Sequence, residues 1–387
     1  MDKQCRRGIL QYFHVSAMAL TVLLTGCLGG GKGGGDTTPP PGRPDWAHIK
    51  AHARPQVVLA NEFQDAVLLK PPSSPAWEDG VFISRDGLHL YAFYSPADVY
   101  QYSVNTAGGT STCVDITPYL RGSLLGMDLQ TNPWGCDRVL HSDIAHATRG
   151  TTSQAFGTWQ LSGMSAPVTW EGGFQALENG DGTIDAVLSR STDKRKNDLY
   201  WARGVSHNPP LSAFTPMPDP VNSTAQEDNP HLERLDNNTL VLLFDNHGQN
   251  DPTTTIKYTM SHDNGARWSP PAELGTNINT GPHDLTGHLY FDGNNWWLYF
   301  ASERDGALAI YRSLHQSGDL INDFDHWGSA QIVIAPGTVD DGSGFMSGVG
   351  EPSLTSRGDL VFAAVYGASN PTDHDASDID VWMAARR

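Results

Sequence analysis

Acidic and histidine residues recur where apolar stretches of this chain begin, at positions far apart in sequence. Glu78 and Asp79, Asp181 and Asp185, Glu227, Asp228 and His231, His283, Asp284 and His288, and Glu351 all sit in such places. Carboxylates that converge on one pocket can divide acid–base work between them. One, kept neutral by its surroundings, gives up a proton, while a charged one acts as nucleophile or base, as in the hydrolysis of glycosides. Asp79, Asp228 and Glu351 form the candidate catalytic set. Glu78, His231, His283, Asp284 and His288 are candidate ligand-binding neighbours. The same acids have a plainer use, because carboxylates ahead of strands cap turns by accepting backbone N–H groups.

Metal chemistry finds less support. His283 and His288 lack the spacing of a helical zinc pair. "ENGDGTID", residues 178–185, carries Asn179, Asp181, Gly182 and Asp185 in the manner of a calcium loop. Leu177 and Leu188 stand where the first and last carboxylates belong, so the stretch reads as a turn. No metal residue is assigned. The expectation is no cofactor, with calcium the one left open.

The elements that must hold these residues follow a repeated phrase of acidic or His-bearing loop, apolar strand, tight turn and second apolar strand. It runs "WEDGVFISRDGLHLYAFYS" from Trp77, "EDNPHLERLDNNTLVLLFDNHG" from Glu227, "PHDLTGHLYFDGNNWWLYFASERDG" from Pro282 and "GEPSLTSRGDLVFAAVYGAS" from Gly350. Asp86-Gly87, Asn237-Asn238, Asp292-Gly293 and Arg357-Gly358 fall at hairpin positions. Third strands follow as "DVYQYSV", "TTIKYTMS", "ALAIYRS" and "DIDVWMAAR". Two weaker copies lie around "CDRVLHSDIAHA" and "FQALENGDGTIDAVLSRS". A short meander cannot bury both of its faces, and packing such units around a ring does so. The chain is therefore expected to be all-β, a β-propeller of six blades, with five or seven as alternatives. Gln56 to Leu69 should supply the outer strand of the last blade and close the ring. Trp296 and Trp297 are neighbours in a strand, so one points to each face.

Composition agrees. Of 387 residues, 18% are charged, 40 are Gly and 11 are Trp, a turn-rich and aromatic β composition. The net charge of −18 argues against a nucleic-acid or anionic-membrane surface, which needs clustered Lys and Arg. A glycan or a protein partner fits better, and the chain is expected to be a monomer.

Residues 1–27 place Lys3, Arg6 and Arg7 before the apolar run Val15 to Leu24 and end in Leu24-Thr25-Gly26-Cys27. The order is that of a signal peptide. Its end resembles a bacterial lipobox, which implies lipidation of Cys27. Leu28 after it implies sorting to an outer membrane, on its periplasmic or surface face. Residues 28–55, rich in Gly and Pro, read as a tether, and 56–387 as the propeller. Cys113 and Cys136 form an even pair in an exported chain, open to a disulfide or to two buried thiols.

"EDGVFISRDGLHLYAF" and "GEPSLTSRGDLVFAAVYG", with the later "SDIDVWMAAR", resemble the repeats of TolB-like propellers. "SHDNGARW", residues 261–268, resembles the Asp-box of the sialidase superfamily. In such a box Asp263 would accept N–H bonds within a turn, Gly265 would take a positive φ and Trp268 would pack between strands, a structural role. A sialidase would also need an arginine triad with an early Arg-Ile-Pro context, and no Arg-Ile-Pro occurs. Arabinanase-type glycosidases place three acids on separate inner strands of five blades, the plan into which Asp79, Asp228 and Glu351 fit. Two functions follow. The first is an envelope-anchored propeller that binds a glycan, peptide or protein without catalysis, as the TolB-like resemblance implies. The alternative is a surface glycoside hydrolase that uses the axial acids.

Overall fold

The structure is a computed structural model that describes residues 43–70, 72–99, 116–127, 142–167, 169–193, 196–247 and 253–387. Cys27, Cys113 and Cys136 lie outside these residues, as do residues 1–42, into which the expected signal and the first part of the expected tether fall.

The described chain forms five antiparallel blades around an axis. Blade I comprises β3 (Trp77–Ile83), β4 (His89–Ser95), β5 (Asp143–Thr148) and β6 (Gln160–Leu161). Blade II comprises β7 (Trp170–Glu178), β8 (Ile184–Asp193), β9 (Lys196–Val205) and β10 (Thr215–Pro216). Blade III comprises β11 (Gln226–Arg234), β12 (Leu240–His247), β13 (Thr254–Ser261) and β14 (Ala272–Glu273). Blade IV comprises β15 (Asp284–Phe291), β16 (Trp296–Ser302), β17 (Ala309–Leu314) and β18 (Gln331–Val339), with β1 (Ala53–Val57) added at its outer edge. Blade V comprises β19 (Gly344–Leu354), β20 (Leu360–Thr372), β21 (Asp375–Ala384) and β2 (Val67–Leu68).

Five blades replace the expected six. "DIAHAT" in one of the two weaker copies is the third strand of blade I, set apart from β4 by residues 96–142. The insertion makes one blade read as two. The other weak copy is blade II. Ring closure uses only the end of the expected segment: β2 pairs with β21 through Val67 opposite Met383 and Leu68 opposite Trp382, whereas Gln56 and Val57 at its start pair with β18 of blade IV. Residues 46–55, expected to belong to the tether, are part of the folded domain. Helix α1 (Trp46–His52) buries Trp46, Ile49 and Lys50, and β1 pairs along β18.

The apolar residues gather into five clusters at the seams between blades. Val241, Leu243 and Ile256 of blade III meet Leu289, Leu298 and Phe300 of blade IV. Phe82, Tyr91 and Ile144 of blade I meet Phe174, Ile184 and Leu188 of blade II. Each fully buried side chain of this size contributes roughly 1.5–3 kcal/mol, so the seams rather than isolated hairpins stabilise the ring.

All five inner strands break register at one level. The shifts fall between Asp79 and Phe82, Glu171 and Phe174, Asp228 and His231, Leu285 and His288, and Gly350 and Ser353. At this level Gly80 (φ 57°), Asn229 (46°), Thr286 (57°) and Glu351 (57°) are left-handed. The last three are not glycine, and such conformations cost on the order of 1–3 kcal/mol each. A bulge turns side chains out of the strand alternation, and here it turns them toward the axis.

The Asp-box lies between β13 and β14, on the outer part of blade III. Asp263 Oδ1 accepts from Arg267 N (2.8 Å) and Ser261 Oγ (2.9 Å), and Gly265 has φ 88°. Trp268 is buried edge-on to Trp201 at 6.2 Å. The box is a hairpin brace.

Candidate functional site

The bulged inner strands sort the sequence-derived acids into two kinds. The first kind opens each strand and holds the loop that enters the blade. Glu227 accepts from Ser223 N (3.2 Å), and Asp284 from Thr280 N and Gly281 N (both 2.7 Å). Glu78 accepts from the Ser74 hydroxyl, and its carboxyl also belongs to a buried network with Lys50 and Asp380. Glu171 fills the same place in blade II and accepts from Ala166 N (3.3 Å). Asp284 is further paired with Arg304 at 3.0 Å. The capping use of these acids thus accounts for Glu78 and Asp284.

The second kind sits on the bulge itself. Asp79 in blade I, Asp228 in blade III and Glu351 in blade V are brought together at the axis, with 1%, 3% and 5% of their surface exposed. Beside them is Asp245 of β12, directly opposite Asp228 in the register and close enough to Glu351 to repel its charge. Asp228 is positioned by Asn229 N (2.9 Å) and, from blade II, by Asn197 Nδ2 (3.0 Å). Asp245 accepts from Asn229 Nδ2 and from Thr286 N of blade IV, both at 2.8 Å. Three buried oxygens nearby have no partner: Asp79 Oδ1, Glu351 Oε1 and Asn229 Oδ1. Buried polar atoms are nearly always hydrogen-bonded, so unpartnered oxygens in one place mark where a ligand or water would bond.

Blade II supplies Gly172 and Gly173 at this level. A Cβ on Gly173 would lie 2.9 Å from Asn229 Oδ1 and 3.0 Å from Asn229 Cα, so glycine is what lets blade III approach. The void enclosed by Gly80, Gly173, Asn229, Thr286 and Glu351 has about 10 Å³ of free volume, room for about one water. A larger cavity, about 530 Å³, lies apart from the acids, against α1, and Trp46, Lys70, Arg121 and Asp375 help to line it.

Burial governs the protonation of the cluster. It pushes the Asp79 carboxyl up to about 7, and the charge of Asp228 adds to the shift. Glu351 is held well above the ordinary range, first by burial and then by repulsion from Asp79, Asp245 and Asp228. Asp245 is raised well above its ordinary value by burial, with Asp228 and Asp284 contributing. Acids spread over three blades therefore form one electrostatic unit.

The histidines lie deeper or to one side. His231 Nε2 accepts Leu289 N of blade IV (3.0 Å), and His288 Nε2 accepts Leu354 N of blade V (3.2 Å). Ser353 continues the series by accepting Ile83 N of blade I at 3.0 Å. These side chains clasp adjacent blades, and burial keeps both imidazoles well below their ordinary pKa. His283 is half-buried where blades III and IV meet, with Nδ1 3.2 Å from Thr254 Oγ1. Asp181 and Asp185 are at the other end of their blade. Asp181 is exposed in the β7–β8 turn, and Asp185 pairs with Arg203 at 3.3 Å.

Sequence reasoning missed Asp245 and Asn197. Asp245 had one visible signal, an acid interrupting the apolar run "LVLLF" of an otherwise buried strand.

The fold and site define a five-bladed propeller with a buried carboxylate cluster on its axis. No family model and no curated protein matches the chain. Similar solved structures include the catalytic domain of a GH62 α-L-arabinofuranosidase from Coprinopsis cinerea, 9% identical over 86% of this chain and 97% of that one, with a TM-score of 0.48. An α-L-arabinofuranosidase from Lactobacillus brevis is 11% identical over 81% and 92% (TM-score 0.45). A protein of unknown function from Dyadobacter fermentans is 11% identical over 86% and 99% (TM-score 0.45). None of the three is described as a TolB-like propeller.

Proposed function

We propose that the chain is a glycoside hydrolase whose reacting groups are Asp79, Asp228 and Glu351. One observation carries this reading: three acids from blades I, III and V converge at the axis, two of them with an unpartnered buried oxygen. Burial and the neighbouring acids raise the Glu351 carboxyl well above its ordinary range, which favours the proton a general acid needs. Asp228, oriented by Asn197 and Asn229, is the nucleophile or base. Asp79, with a pKa of about 7, stands between the two states and tunes its neighbours. The reading coincides with the class of the arabinofuranosidases named above but rests on the carboxylates alone.

The test is turnover of a panel of chromogenic glycosides, α-L-arabinofuranosides first. The wild type should hydrolyse at least one, and Asp228→Asn and Glu351→Gln should each lower kcat by a hundredfold or more. Unchanged turnover in both variants removes these residues from the mechanism.

A second reading, binding of a glycan or protein without turnover, is favoured by one observation: none of the three acids exposes more than 5% of its surface. A glycan array that returns a ligand the protein does not cleave would select it. In either case we propose that lipidated Cys27 anchors the protein to the cell envelope. Cys27→Ser should release it into the soluble fraction, and retention at the membrane would refute the anchor.

A further inference from the structure

Away from the axis, "HIKAH" places His48 and His52 four residues apart on α1, one turn apart on one face. The opposite face buries Trp46, Ile49 and Lys50, so the helix cannot roll. The imidazole centroids are 4.3 Å apart. Facing them is Asp341, from the turn between β18 and β19. One ligand atom from each of the three residues lies within 4.8 Å of the others.

The surroundings hold this arrangement in place. Asp340 N donates to the His52 carbonyl at 3.1 Å, joining the turn to the end of the helix. Asp341 Oδ1 accepts from Ser343 N (3.0 Å) and Ser343 Oγ (2.7 Å), which leaves Oδ2 directed at the histidines. Oδ2 contacts His48 Nε2 and lies 4.0 Å from His52 Nδ1. His52 Nδ1 donates to the His48 carbonyl at 2.9 Å, so Nε2 carries that ring's lone pair. Ligands whose second polar atom is fixed by a backbone group are how proteins orient a metal site.

We propose that His48, His52 and Asp341 bind a divalent transition metal of the zinc class, with the fourth position open to water. Two imidazoles and one carboxylate suit zinc, cobalt or nickel and not calcium or magnesium, which require oxygen donors. The metal fastens α1 to the blade IV–blade V junction. It thereby secures the segment that leads from the tether and carries Lys50 into its buried acids. The site is independent of the axial carboxylates.

The experiment uses the full chain, stripped with chelator, titrated with Zn²⁺ alone in a calorimeter and with Co²⁺ in an absorption spectrometer. One equivalent of Zn²⁺ should bind, Co²⁺ should give the intense visible bands of a four-coordinate site, and the melting temperature should rise. His52→Ala and Asp341→Asn should each weaken binding at least tenfold. His326→Ala, which alters an exposed histidine paired with Asp323, should not. Circular dichroism confirms that each variant is folded, as the partial exposure of these side chains leads one to expect. Absence of a saturable one-equivalent phase, or equal affinity in wild type, His52→Ala and Asp341→Asn, overturns the proposal.

Discussion

Replacing Asp79 by Asn should stabilise the protein, and only above a definite pH. The substitution keeps the shape of the side chain and removes its ionisation. In the folded state burial and the charge of Asp228 lift the Asp79 carboxyl from its ordinary 3.8 to about 7. Below about pH 4 the carboxyl is protonated in both folded and unfolded chains, and Asp and Asn should be nearly equivalent. Between about 4 and 7 the unfolded chain releases the proton while the folded chain keeps it, so the wild type loses stability as pH rises. Above about 7 the loss is complete, at about 4 kcal/mol as an upper bound. Glu351 owes part of its own upward shift to Asp79, so the variant also relieves a neighbour. Urea denaturation of both proteins at pH 4 and pH 8, followed by tryptophan fluorescence, measures the difference. A gap that opens between these pH values in favour of the variant, with a loss of turnover, is the expected result. A gap independent of pH, or a variant less stable at pH 8, would refute the reasoning, because Asp79 would then not carry a buried charge.

Lys50 lies 2.6 Å from Asp378 and 2.5 Å from Asp380, all three buried, so Lys50→Met should cost roughly 3–5 kcal/mol in a urea melt, and adding Asp380→Asn should recover part of it. Gly173→Ala should cost roughly 1–3 kcal/mol, because the new methyl meets backbone at Asn229 Cα, 3.0 Å away. It should also lower kcat by shifting Asn229. Leu289→Ala, in the seam between blades III and IV, should cost about 2–5 kcal/mol with KM unchanged. Asp263→Ala should lower the melting temperature and leave kcat alone, since the Asp-box lies on the outer part of its blade.

The hairpins were legible because their signals are local. Asp86-Gly87, Asp292-Gly293 and Arg357-Gly358 each place a glycine where the turn demands a positive φ, found at 74°, 98° and 86°. The pairing of β2 with β21 was legible because the segment before blade I had no hairpin partner of its own. The blade count was not, because "DIAHAT" lies beyond residues 96–142 and no local feature ties it to β4. Residues 46–52 were read into the tether because the partners that bury "WAHIKAH" are distant in sequence. Its burial depends on acids at Asp378 and Asp380, far along the chain.

By itself the sequence determined strand alternation, turn chemistry and the recurrence of acids before inner strands, all set by near neighbours along the backbone. Only the tertiary structure decided what each acid does. Glu78, Glu227 and Asp284 stand one step before the bulge and turn back to hold loops. Asp79, Asp228 and Glu351 stand on it and face the axis. A register shift turns a side chain to the other side of its strand, and ring closure sets which of those side chains meet. Both are properties of strand pairing across the whole chain, which no single segment contains.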